Sequence, residues 1–394
     1  MERRAAGLRR WTRRFLLAGG LALVAFLLAL LVDGGRRLAV LLGLYGFVCS
    51  TIFGMGYLLL PAYAGRTLVD RRLAGVHFVL AVLGISLLGG GWIREGVGTL
   101  FTVGAVLWAL GVATFVGSLL ATVGPVVLAD PTGVLRLGDR SQRSSKLGTV
   151  VIPVALGYLL VGTVGLLAAT PVLGGWTPTL AQVSHYYAIG FGALLVYALG
   201  ARLLVGFYHV TPPRSLVYPT LLFGAFAPAL LGTFRRGEPW FLPGAAFAAL
   251  AMTCYLLAVG FVAIETDRSR LELSGIGCGA LAGVLAVATA LTVVVGENAG
   301  IATATTLHWT LVLGGFFPLT IVGYVFQFFP VTGAQVPGAT ERGVAATIGL
   351  LAVGVAVQGV GVGGQLGAVR TVGIGFSLVG AVGYLYLLGG RFAS

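Results

Sequence analysis

Apolar runs of about 20 residues recur along almost the whole chain, broken by short stretches carrying arginine, proline or glycine. That length is what one α-helix needs to cross the hydrocarbon core of a bilayer. Inside lipid only helices and closed β-barrels satisfy their own backbone. A barrel needs alternating polar and apolar positions, and continuous alternation is absent here. Composition agrees: of 394 residues, 58% are hydrophobic and 9% charged, against about 25% charged in soluble domains. A soluble globule and a disordered chain are both excluded, the latter because disorder requires low hydrophobicity. The expected fold is therefore an all-α, polytopic membrane protein.

Breaks in hydropathy give twelve expected spans, at 15–32, 38–62, 73–93, 98–121, 148–170, 183–207, 215–234, 241–264, 276–296, 301–330, 343–363 and 371–389. The first follows six arginines between Met1 and Arg14. That start resembles a signal peptide, but no small-residue cleavage site is clear, so the run reads as a retained helix. The net charge of +13 lies in the short loops rather than on a nucleic-acid-binding face. With the N-terminus inside, 18 basic residues fall on the cytoplasmic side and six outside, namely Arg36, Arg37, Arg94, Arg235, Arg236 and Arg370. Arg202 lies within a helix and snorkels to its inner end. The bias places both termini in the cytoplasm of a cell that carries the protein in its plasma membrane. Cys49, Cys254 and Cys278 are too dispersed for a metal or disulfide pattern and read as buried small residues.

Sixty-three glycines suit close helix packing in lipid, as in Gly275-x3-Gly279-x3-Gly283. The cluster Gly359, Gly361, Gly363 and Gly364 lacks the strand-turn-helix context of a phosphate loop. More telling is a repeat. Helix 6 carries His185, Gly192 and Gly200 as H-x6-G-x7-G, and helix 10 carries His308, Gly315 and Gly323 in the same pattern. Helix 2 shares the later part, with Gly46, Gly54 and Pro61 matching Gly315, Gly323 and Pro330; the histidine position projects onto Ala39. The copies lie four helices apart, so the chain divides into quasi-repeated four-helix blocks at about 15–129, 148–264 and 276–390.

Twelve helices in three four-helix blocks, with outer-half histidines on helices 6 and 10, resemble the heme–copper oxidase catalytic-subunit superfamily, which includes the NnrS-like membrane proteins. Residues 306–324 look like the family's tenth helix and 39–61 like its second. The resemblance implies a heme or copper cofactor, with His185 in a copper-type place and His308 in a low-spin-heme-type place. The departures are as informative. Ala39 stands where catalytic members have a heme ligand, Thr306 replaces the first histidine of their tenth-helix pair, and 215–234 lacks their copper-ligating histidines. An active terminal oxidase is therefore not expected; a degenerate, NnrS-like relative is.

Imidazole is a good ligand for heme iron or copper, while the bland role for His185 and His308 is hydrogen bonding between helices. His77 and His209 read as interfacial residues near the inner ends of helices 3 and 6, where together they could form a second site. Tyr186, Tyr187 and Trp309 fit an interfacial aromatic belt. No acidic residue or lysine falls in mid-span, which argues against proton pumping; Arg94, Glu95 and Glu297 read as helix-end residues. No Ser–His–Asp or Cys–His arrangement can be assembled. Two other readings stay open: a permease for a small neutral solute, with helix breaks at Pro153, Pro228 and Pro318, or a structural partner of other subunits in a membrane complex. The lipid bilayer is the one partner expected in every case, and nucleic acid in none.

Overall fold

The computed structural model describes residues 2–94, 98–129, 140–174, 179–231, 239–295 and 300–394. Glu95, Arg136, Arg235, Arg236 and Glu297 lie outside the described residues. Twelve long helices follow in order, and no strand occurs among the described residues. They are α1 (Glu2–Leu31), α2 (Arg36–Tyr63), α3 (Arg72–Arg94), α4 (Thr99–Ala129), α5 (Arg140–Ala168) and α6 (Ala181–Tyr208). The remainder are α7 (Arg214–Leu230), α8 (Phe241–Glu265), α9 (Leu271–Val295), α10 (Ile301–Phe328), α11 (Glu341–Gly363) and α12 (Gly367–Ala393). Eleven are long and apolar enough to cross a bilayer; α7, with 17 residues, is shorter than the others. The chain is an all-α polytopic membrane protein.

Some ends differ from the hydropathy reading. Helix α1 begins at Glu2 rather than near residue 15, because arginine and alanine are good helix formers and carry the turn through the basic start. Helix α4 runs to Ala129 with Pro125 inside it, past the expected end at 121, and α5 starts at Arg140 instead of 148. Hydropathy marks where lipid begins; it does not mark where hydrogen bonding stops.

Two compact units divide the chain: Met1–Ala22 with Arg36–Val196, and Leu23–Gly35 with Tyr197–Ser394. In the first, α1 packs antiparallel on α2. A Cβ on Gly46 would lie 2.7 Å from the Ala22 methyl, and one on Gly54 would lie 2.7 Å from Phe15 Cβ and 3.2 Å from the Thr12 carbonyl. In the second, α9 packs antiparallel on α10 through the corresponding glycines. A Cβ on Gly315 would meet Ala282 at 2.8 Å, and one on Gly323 would meet the Glu272 carbonyl at 2.7 Å and Ile276 N at 3.0 Å. On α2 and α10 the G-x7-G spacing is thus a two-point contact with the preceding helix, whereas Gly200 on α6 meets the Tyr255 and Tyr324 side chains. Gly275 and Gly279 also face α10, at Leu319 O and Thr320 N, while Gly283 lies against Met252 of α8 and the Phe316 ring. Further pairs form hairpins, α3 with α4, α7 with α8, and α11 with α12.

Helices α2, α6 and α10 stand apart from the rest. Their most apolar windows are 89%, 78% and 83% buried, against 33–50% in the other eight spans. Each also contains a π-helical segment: Leu41–Cys49, Tyr186–Ala193 and Thr310–Phe316. A π segment inside an α-helix leaves backbone groups poorly paired and recurs at functional sites. Gly46, Gly192 and Gly315 each lie within one of these segments.

Candidate functional site

The two histidines of the repeated motif sit where α-helix gives way to π-helix. His185 immediately precedes the segment Tyr186–Ala193, and His308 lies two residues before Thr310–Phe316. Ala39 likewise lies two residues before Leu41. His308 Nδ1 is 2.8 Å from the carbonyl of Ala286 on α9, and His185 Nδ1 is 2.6 Å from the carbonyl of Ala181 one turn back. A carbonyl only accepts, so in both rings Nδ1 carries a proton and donates it. Fixing one ring nitrogen against a carbonyl is how proteins orient a ligating imidazole. Both residues are half-buried, and the Trp309 ring lies 6.0 Å from that of His308.

His77 is not interfacial. It is 0% exposed, enclosed by Phe15, Phe53, Tyr57 and Phe115 with ring centroids 4.5–5.7 Å away. Its Nδ1 lies 3.1 Å from Tyr57 Oη, and its Nε2 has no hydrogen-bond partner. His209 is exposed and takes a left-handed conformation (φ 57°) just after α6, its N–H donating to the Val205 carbonyl at 3.0 Å. It serves as a helix terminator.

In the first unit the π segments of α2 and α6 bring together a polar group that the sequence reading missed. Tyr45 and Tyr187 pack at 4.7 Å between centroids, and Trp108 lies 5.1 Å from Tyr45. Trp108 Nε1 donates to Tyr187 Oη at 2.8 Å. Thr163 donates to the Leu159 carbonyl at 2.7 Å, so the Tyr187 hydroxyl donates to Thr163 Oγ1, again at 2.8 Å. This is one directional chain, Trp108 to Tyr187 to Thr163 to the α5 backbone. Tyr45 Oη is buried with no partner. Tyr187 therefore belongs to the core and not to an interfacial belt, being 0% exposed. The signal in the sequence was hydroxyl and indole groups at one depth on α2, α4, α5 and α6, which only packing can bring together. The second unit holds a smaller group of this kind, with Tyr255 and Tyr324 hydroxyls 3.1 Å apart and the Tyr197 ring tilted against Tyr255 at 5.2 Å.

Among the described residues, no three of His, Cys, Asp or Glu come together. A copper centre with three protein ligands has no donor set there. A heme asks less of the protein, because a single imidazole serves as an axial ligand, and the oriented rings of His185 and His308 fit that requirement. No model of a known protein family matches the chain, and no curated protein matches it.

Proposed function

We propose that this membrane protein binds heme through His308, with His185 as a separate candidate ligand in the other unit, in a non-pumping redox or nitric-oxide-related role akin to that of NnrS-like relatives of the heme–copper oxidases. The observation that carries the reading is the pairing of each motif histidine with a backbone carbonyl at the start of a π segment. That pairing orients both rings, and Nε2 is the nitrogen proposed to ligate. Bound heme would supply one-electron chemistry or a place for a diatomic gas. The chain's own contribution is to orient the imidazoles and to exclude water, through the buried rings around Tyr187 in one unit and those around Tyr255 in the other. Within the described spans no carboxylate or lysine occupies a middle position, which fits electron or gas chemistry without proton translocation. The proposed orientation has both termini in the cytoplasm.

The protein purified from heme-replete cells is expected to show a heme absorption band that weakens in His308→Ala. A colourless, metal-free preparation that is otherwise folded refutes the proposal. A carrier for a small neutral solute is the second reading, favoured by the irregular backbone within three deeply buried helices. It predicts solute flux in proteoliposomes whatever the heme supply.

A further inference from the structure

A groove of about 690 Å³ opens where the start of α3 meets α1, remote in sequence from the motif histidines. Arg10, Arg71 and Arg72 line one part of it beside Trp11. The rest of its wall is Gly75, Val76, Val79 and Leu80, one apolar stripe along α3. The two valines are 49% and 51% exposed, so the stripe faces outward. Trp11 is held in place: the Arg14 guanidinium lies 4.4 Å over its ring, and a Cβ on Gly75 would come 2.6 Å from it. Gly75 is thus what lets the indole approach α3 closely. Asp70, the nearby acid, is engaged at the helix start, where its Oδ1 accepts the Arg72 N–H at 2.8 Å.

Three guanidiniums, an indole and an apolar stripe in this order reproduce the layers of a membrane leaflet: phosphate, interface, hydrocarbon. Guanidinium is the side chain best suited to bind phosphate, and basic pockets at the ends of membrane helices take anionic headgroups. A soluble anion would satisfy the arginines but leave the stripe uncovered. We propose that the groove binds one anionic diacyl phospholipid, its phosphate on the arginines and an acyl chain along Val76, Val79 and Leu80.

The test is native mass spectrometry of the full chain in detergent, titrated with phosphatidylglycerol or phosphatidylcholine. Phosphatidylglycerol is expected to be retained at least about tenfold more tightly. The triple variant Arg10→Gln/Arg71→Gln/Arg72→Gln should abolish that preference, while the same positions as lysine keep part of it. Val79→Trp, which fills the apolar wall and leaves the arginines, should weaken retention of the anionic lipid and decides the matter if the triple variant does not fold. Equal retention of the two lipids, or a preference that survives both variants, overturns the proposal. So does displacement of the lipid by excess inorganic phosphate, which would mark a site for free anions.

Discussion

Replacing Tyr187 with Phe tests whether the buried chain from Trp108 to Thr163 holds the first unit together. The hydroxyl accepts one hydrogen bond and donates another, each at 2.8 Å, and the side chain is 0% exposed. Thr163 keeps its bond to the Leu159 carbonyl, so the stranded group is the Trp108 N–H. An unsatisfied buried donor costs about 1–3 kcal/mol, and side-chain hydrogen bonds between membrane helices average about 0.6 kcal/mol with a maximum near 1.7. Tyr187→Phe should therefore destabilise the protein by about 1–2 kcal/mol in a reversible denaturant titration in detergent. Trp108→Phe removes the stranded donor, so the double variant should lose less than the sum of the two singles, by about 0.5–1.5 kcal/mol. Strict additivity would mean that the 2.8 Å contact carries no energy, and the account of this core would fail.

Other consequences follow from the packing. Gly323→Val should cost about 2 kcal/mol or more, because its Cβ meets the Glu272 carbonyl at 2.7 Å and Ile276 N at 3.0 Å. Gly349→Ala, with nothing within 4 Å, should be neutral or stabilise by up to about 1 kcal/mol in the same titration. His77→Phe should leave the heme band unchanged, since the rings around His77 already fill its surroundings; loss of the band would move the site to α3. Single cysteines placed near each terminus should be labelled by a membrane-impermeant thiol reagent only after the cell membrane is opened, as the arginine distribution requires.

The helical architecture was plain in the sequence because lipid leaves one economical solution for a run of 20 apolar residues. The glycine spacing also pointed to close helix packing, and on α2 and α10 the approach at Gly46, Gly54, Gly315 and Gly323 is possible only without a Cβ. The π segments were invisible. Thr310–Phe316 reads by composition as ordinary apolar helix, and its altered hydrogen bonding shows only in the backbone. His77 was misplaced because nearness to a span end suggests an interface, whereas α1, α2 and α4 supply the rings that bury it. Tyr45, Trp108, Thr163 and Tyr187 share no motif; they are one group only because four helices meet.

The most direct test of the heme assignment is the optical and magnetic resonance spectrum of the purified chain, with heme quantified per polypeptide, for the wild type and for His308→Ala and His185→Ala. The account predicts stoichiometric heme with a nitrogenous axial ligand in the wild type, lost or altered in His308→Ala while the fold persists. Wild-type protein that is folded yet free of heme, or a spectrum indifferent to both substitutions, would contradict it.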